Sequence, residues 1–292
     1  MSKKKILIQI DSDPQPSVFD AVVAVDSDVD QLFRHGGVTP EQVQGLVHGA
    51  MFTRGPGDLK STALFFGGSD VAKTQQLVNA ATGSFFGPVR VSMMSDPNGC
   101  NTTAAAAVIC AARHANLAEG VVTILGATGP VGQRIAQIIA NLEGATTEIR
   151  FCSRNLQRAQ SCCESVAAIS QGNAKLTPTA VPDQNYALTA VAGSNAVFAA
   201  GAAGVELLGS GWTDPNLQTV IDLNAVPPTG IHGVDVTDSG REIDGCFCYG
   251  AIGVGGLKMK IHKQCIRELF ETNDRILGTN EIFAIGQHVS SA

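Results

Sequence analysis

The chain has 292 residues, 44% of them hydrophobic and 16% charged, with 32 glycines and only 5% aromatics. Such a composition excludes a disordered chain and favours tightly packed α/β layers over a disulfide scaffold or a β-sandwich. A formal charge of −6 with no long basic stretch speaks against non-specific nucleic-acid binding, and no apolar run reaches the roughly 18 residues that a membrane span needs.

In chain order, Lys5–Ile10 is a short β-type run that ends at Asp11 without a signal-like cleavage site, so it reads as a first strand. Ser17–Val25 follows as a helix. Thr39-Pro40-Glu41-Gln42 predicts a helix start: Thr at the N-cap, Pro at the first helical position and Gln at the reciprocal capping site, with Val43, Leu46 and Val47 as the apolar face. Thr62–Phe66 is a strand, Asp70 caps a helix to about Ala81, and Val89–Met94 is a further strand. After the turn cluster Ser95–Gly99 comes an Ala-rich helix over Asn101–Ala118. A second series of strands reads as Val121–Leu125, Glu148–Cys152, Ala196–Ala199 and Thr219–Leu223, with Gln171–Gln184 as a polar loop. The tail after Gly256 is helical, with Ile261, Cys265, Leu269 and Phe270 on its apolar face. The rhythm predicts two α/β domains. The first is residues 1–118 with the connecting helix, and the second is a Rossmann-type dinucleotide-binding domain at 119–256. A helical segment at 257–292 returns towards the first.

The sharpest local signal is Val121–Gly132. A β-run leads into glycines at 126, 129 and 132, with Thr128, Pro130 and Val131 between them, and then into a helix with Ile135, Ile138 and Ile139 apolar. Gly126 permits the tight turn, Gly129 lets backbone N–H groups approach a pyrophosphate, and Gly132 allows close helix–strand packing. The helix N-terminus adds partial positive charge. NAD enzymes place Asp or Glu at the end of the second strand to hold the ribose. Here that strand ends in Ser153-Arg154-Asn155, with Arg154 22 residues past Gly132 and Arg158 one turn later. A guanidinium pairs with a 2′-phosphate that a carboxylate would repel, so the residues predict NADP. Ala200, Gly201 and Ala202 follow one predicted strand and Asn224 another, in the carboxyl-end loops where open α/β sheets bind ligands.

The eight cysteines include no CxxC pair, and the six histidines form no HxH or HExxH pattern. They read as reduced, mostly buried thiols in a cytoplasmic protein with no metal site.

Several further motifs occur together. They are Pro16–Asp20, Thr53–Gly55, Gly67–Asp70, Phe85–Pro88, Asp96–Thr103, Ala200–Leu208, Asn224–Pro228, Gly233–Asp235 and Gly250–His262. With the glycine turn they resemble, nearly from end to end, the bacterial NADP-dependent methylene-tetrahydromethanopterin dehydrogenases of one-carbon metabolism. The resemblance implies two α/β domains with a cleft that holds a reduced pterin against the nicotinamide, and a homo-oligomer. It implies hydride transfer from the methylene carbon of the pterin to NADP, leaving a methenyl cation. That carbon is flanked by two nitrogens whose lone pairs push out the hydride. The step therefore needs positioning and electrostatics more than a general base.

On that pattern Lys258, following Gly253-Val-Gly-Gly256-Leu at an expected helix start, is the catalytic-site candidate, while Lys260 and Lys263 are surface charges. The carboxylate of Asp20 suits the amino-pyrimidine edge of a pterin. Asn98, Asn101, Thr102 and Thr103, at the start of the connecting helix, are candidates to line the substrate site. The alternatives are a methylene-tetrahydrofolate dehydrogenase, whose ligand shares the reacting head, a shikimate-type NADP dehydrogenase, and a nucleotide-sensing module that lacks a second pocket.

Overall fold

A computed structural model describes residues 3–291. The first stretch alternates strand and helix: β1 (Ile6–Asp11), α1 (Val18–Val25), β2 (Gln31–His35), α2 (Pro40–Phe52), β3 (Thr62–Gly67), α3 (Val71–Thr82) and β4 (Ser92–Ser95). Helix α4 (Cys100–Ala112) leads to β5 (Val121–Leu125), α5 (Pro130–Ala140), β6 (Glu148–Ser153), α6 (Leu156–Ile169), β7 (Lys175–Ala180), α7 (Gln184–Val191), β8 (Ala196–Ala199) and β9 (Thr219–Asp222). The hairpin of β10 (Ser239–Ile243) and β11 (Cys246–Tyr249) precedes α8 (Ala251–Glu268), β12 (Ile276–Leu277) and α9 (Thr279–Ser291).

The chain divides into two compact units, one up to Thr102 and again from Met259, the other from Thr103 to Lys258. The divisions therefore fall inside α4 and α8. The expected boundaries lay at residues 118/119 and 256/257, the first of them at the far end of an 18-residue helix; α4 stops earlier, at Ala112.

In the first unit five parallel strands run in the order β12-β4-β3-β1-β2. The three inner strands carry continuous apolar runs, as a sheet buried on both faces requires. Leu7, Ile10, Leu64, Phe65, Phe66 and Met93 are all fully buried, each contributing on the order of 1.5–3 kcal/mol. Local chemistry starts the helices as expected. The Gln42 side chain accepts the Thr39 N–H at 2.9 Å, Asp70 accepts the N–H groups of Ala72 and Lys73, and Ser17 accepts that of Asp20.

In the second unit the order β10-β11-β9-β8-β5-β6-β7 is parallel except for the β10–β11 pair. From β7 to β11 this is the doubly wound dinucleotide-binding order, with its topological switch point between β5 and β8. Pro178 within β7 is accommodated because β7 is an edge strand.

Two expected elements are placed differently. Residues 171–184 are not a loop: β7 occupies Lys175–Ala180, a polar edge strand that apolar periodicity does not reveal. Helix α8 begins at Ala251 rather than after Gly256, because packing overrides glycine's low helix propensity. A Cβ at Gly250 or Gly253 would overlap the carbonyls of Asp235 and Asp238, so these glycines let the first turn lie against the 235–239 backbone. Lys263, expected as a surface charge, pairs with the exposed Asp26 at 2.9 Å. All eight cysteines are free, seven of them buried. Burial pushes the thiol of Cys152 up to about 12 and those of Cys110 and Cys163 up to about 11. Among the described residues no helix is long and apolar enough to cross a membrane.

Candidate active site

The glycine turn sits where the parallel sheet of the second unit offers a ligand crevice, at the carboxyl ends of β5 and β8. Gly126 has φ +70°, and a Cβ there would lie 2.6 Å from Gly201 Cα and 2.7 Å from Gly201 N. The turn after β5 and the Ala200–Ala202 segment after β8 are thus in backbone contact. Gly132 is constrained in the same way, since its Cβ would lie 2.6 Å from Ala127 Cα. Gly129 differs. It is the N-cap of α5, and a Cβ there would make only ordinary contacts of 3.5 Å with the carbonyls of Ala200 and Gly126. The fold itself therefore accommodates a Cβ at Gly129. Thr128 and Val131 are half-buried beside it and Pro130 is exposed at the first helical position. The Thr128 carbonyl accepts the Gln133 side chain at 3.0 Å.

The neighbouring strand β6 ends beside this turn, the Ala127 N–H donating to the Cys152 carbonyl at 3.0 Å. The Ser153 hydroxyl accepts the Asn155 N–H, and the Asn155 side chain caps α6 by accepting the Arg158 N–H. Arg154 and Arg158 are exposed, and among the described residues neither forms an ion pair. Two guanidinium groups with no ion-pair partner among the described residues thus stand just after β6 and in the first turn of α6. Asn224, also expected to touch the cofactor, is 6% exposed with its amide turned onto backbone groups.

In the first unit the carboxylates of Asp11 and Asp20 meet at the carboxyl end of the sheet. A Cβ at Gly67, the last residue of β3, would lie 3.1 Å from one Oδ2 and 3.6 Å from the other. Asp20 is 9% exposed, which sets aside a fully solvated role. The Asp11 carboxylate accepts the N–H groups of Asp13 (2.9 Å) and Ser17 (3.2 Å), and the Ser17 hydroxyl accepts that of Asp20 (3.2 Å). Burial raises the Asp11 carboxyl above its usual range, opposed by those two N–H groups. Asp11 lies outside the sequence-derived set. Its one signal is a carboxylate at the carboxyl end of a buried strand. His262 lies outside that set too. It is fully buried on α8 and stacked on Phe65 with ring centroids 5.6 Å apart and planes 19° apart.

The polar cluster at the start of α4 divides. The Asp96 carboxylate accepts the N–H groups of Asn101 (2.8 Å) and Thr102 (3.2 Å) and the Thr102 hydroxyl (2.6 Å). The Asn101 amide donates to the Ser95 carbonyl at 2.6 Å and accepts the Thr279 hydroxyl at 2.9 Å. Both side chains serve the fold. Asn98 is exposed at φ +51° and Thr103 is half-buried, which leaves these two as the open members of the group. Asp96→Ala is expected to destabilise the protein by about 2–4 kcal/mol, because two helix N–H groups and a buried hydroxyl lose their acceptor. Denaturant unfolding checks it, and a loss below about 0.5 kcal/mol would contradict the assignment. Lys258 is the eighth residue of α8, half-buried, one turn before His262. Gly255 and Gly256 just before it meet nothing within 4 Å of an added Cβ.

Residues 18–98 match the family model described as methylene-tetrahydromethanopterin dehydrogenase, N-terminal. The chain is 42% identical over 290 residues to the bifunctional protein MdtA of Methylorubrum extorquens, covering 98% of this chain and 99% of that protein. The chain belongs to the methylene-tetrahydromethanopterin dehydrogenase family. A second relative in the same organism, an NAD(P)-dependent methylenetetrahydromethanopterin dehydrogenase, is 28% identical over 274 residues, 88% of this chain and 89% of that one. Among solved structures, the shikimate 5-dehydrogenase of Listeria monocytogenes in complex with shikimate and NAD superposes with a TM-score of 0.57. It covers 97% of this chain and 96% of that one at 16% identity, a likeness of fold alone. This dehydrogenase is therefore an enzyme of one-carbon metabolism that uses NAD(P), built on two largely parallel α/β sheets.

Proposed function

We propose that the protein oxidises methylene-tetrahydromethanopterin to the methenyl form with NADP as the preferred acceptor. The observation that carries the choice of NADP is the pair of exposed guanidinium groups without an ion-pair partner among the described residues, Arg154 just after β6 and Arg158 in the first turn of α6, where a carboxylate would select NAD. NADP, when bound, supplies the nicotinamide carbon that accepts the hydride.

The chain's own residues hold and orient. The N–H groups at the start of α5, with Gly129 clearing the approach, receive the pyrophosphate. Ser153, Arg154 and Arg158 take the adenosine ribose and its phosphate, and Ala200–Ala202 lines the next loop. Asp20 pairs with the N–H donors of the amino-pyrimidine, held at its helix start through Ser17 and Asp11. Asn98 and Thr103 are polar contacts for the pterin, and Lys258 hydrogen-bonds it near the reacting head. No side chain needs to remove a proton in the hydride step, which asks for positioning and electrostatics. The family membership favours this reading over a shikimate-type dehydrogenase, whose alcohol oxidation requires a proton acceptor.

The test is an assay panel of NADP or NAD with methylene-tetrahydromethanopterin or methylene-tetrahydrofolate, followed by reduced-nicotinamide absorbance. The highest kcat/KM is expected for NADP with the methanopterin substrate. Equal efficiency with NAD, or activity with the folate alone, overturns the corresponding part. A second result is expected from Gly129→Ala. The variant folds as the wild type does, because the added methyl meets only ordinary contacts. Its Kd for NADP rises about tenfold, since the methyl occupies the pyrophosphate approach at about 1–3 kcal/mol. Calorimetric titration checks it, and unchanged affinity would remove the phosphate from this helix end.

A further inference from the structure

Three backbone groups from two loops converge on the Asn224 side chain. Its Oδ1 accepts the N–H of Gly204 (3.2 Å), in the loop after β8, and that of Val226 (3.0 Å), in the loop after β9. Its Nδ2 donates to the Pro228 carbonyl at 2.9 Å. The Asn224 N–H in turn donates to Asp222 Oδ1 at 2.9 Å, and Asp222 Oδ2 accepts the Ile231 N–H at 2.9 Å. Both acceptor positions of the amide oxygen are thus used by the protein itself.

The loop that Asn224 grips is the one that touches the glycine turn. Gly204 sits at φ +72°, three residues after Gly201, whose backbone would lie within 2.7 Å of a Cβ on Gly126. The contacts run from the end of β9, through Asn224, to the 200–204 segment, and from there to the turn after β5. We infer that Asn224 is a positioning residue for the dinucleotide: it makes no direct contact with the cofactor but fixes the loop after β8 against the glycine turn, so that both present their backbone to the ligand in one geometry. The inference rests on the dinucleotide reading of residues 126–132.

The test compares Asn224→Ala and Asn224→Asp with the wild type in the full-length protein. It measures the Kd for NADP, the KM for methylene-tetrahydromethanopterin at saturating NADP, and the thermal midpoint. Asn224→Ala is expected to raise the Kd for NADP about tenfold or more, with the pterin KM unchanged. Asn224→Asp carries the sharper signature. Near pH 8 its ionised carboxylate cannot donate to the Pro228 carbonyl, and the Kd rises by a similar factor. Burial raises the pKa of this aspartate while the two N–H donors oppose the shift, so the variant takes up a proton as the pH falls. The resulting O–H donates to Pro228 while the other oxygen still accepts the two N–H groups. Affinity then returns towards the wild-type value.

The other titratable groups on these loops are Asp222, held above its usual range by burial, the Glu206–His232 pair at 3.5 Å, and Asp214, Asp235 and Asp238. All six are present in the wild type, whose own pH profile removes their contribution and that of the cofactor phosphate. A purely structural role would shift the thermal midpoint without this pH-dependent recovery of binding in folded protein. Wild-type affinity in Asn224→Ala, or a folded Asn224→Asp that binds NADP as tightly as the wild type near pH 8, overturns the positioning role. A wild type that binds neither NADP nor NAD overturns the dinucleotide reading itself.

Discussion

Arg154→Asp is expected to raise the Kd for NADP by two orders of magnitude or more while leaving that for NAD within a few-fold. The side chain is exposed at the carboxyl end of β6, next to the glycine turn, and has no ion-pair partner among the described residues. Its guanidinium is therefore free for a dianionic 2′-phosphate, with charge-assisted hydrogen bonds worth about 1.5–3 kcal/mol each. The substitution removes those bonds and sets a carboxylate against the phosphate, so the two effects add. NAD offers a 2′-hydroxyl at the same place, which a carboxylate accepts as a partner. The variant should thus move towards NAD rather than simply lose function. Arg158→Ala alone should cost less, since Arg154 keeps its own pairing. Titration of both cofactors into each variant decides the matter. Equal losses for NADP and NAD would mean that Arg154 does not read the phosphate.

The dinucleotide unit was legible in the sequence because its constraints are local. Gly126 turns the chain at φ +70°, Gly132 answers a backbone requirement at Ala127 five residues away, and the strand and helix on either side carry strong apolar periodicity. The elements that the sequence left obscure depend on neighbours far along the chain. Strand β2 has an exposed edge with little alternation, β7 is polar with a proline, and the β10–β11 hairpin is defined by pairing with β9. The start of α8 was displaced because four glycines near it read as a loop, whereas Gly250 and Gly253 are there to let a helix approach the backbone of residues 235–239. The candidate site shows the same limit. Sequence placed Asn101 and Thr102 at the start of a helix and Asn224 just after a strand, but residue type does not reveal whether a polar side chain faces a ligand or closes the fold. Asp96, Ser95, Thr279, Gly204 and Pro228, which take up their hydrogen bonds, lie up to 178 residues away. Asp11 went unseen for the complementary reason. Its importance lies in meeting Asp20 at Gly67 across strand pairings, a proximity with no footprint in spacing.

Lys258→Ala is expected to lower kcat and kcat/KM together by about a hundredfold or more, with the Kd for NADP changed less than twofold. The residue lies in the middle of a continuous helix, so its main chain is fixed and only the side chain is altered. It is outside the β5–α5–β6 region proposed to hold the phosphates, hence the expected indifference of cofactor affinity. The reaction creates a cation on the pterin, and a bare ammonium beside that charge would oppose it. A lysine is useful there as a hydrogen-bond donor that orients the ring system and the reacting carbon, a geometry demanded most strictly in the transition state. Loss of such an interaction lowers kcat and kcat/KM equally, whereas loss of simple substrate binding raises KM at constant kcat. Lys258→Arg keeps the charge but replaces a compact donor with a longer planar fork, so rescue should be partial at best. Steady-state kinetics with methylene-tetrahydromethanopterin, alongside NADP titration of the same variants, separates these outcomes. Wild-type turnover in Lys258→Ala would place the lysine outside the chemistry, and a rise in KM alone would reduce its role to holding the pterin in the ground state.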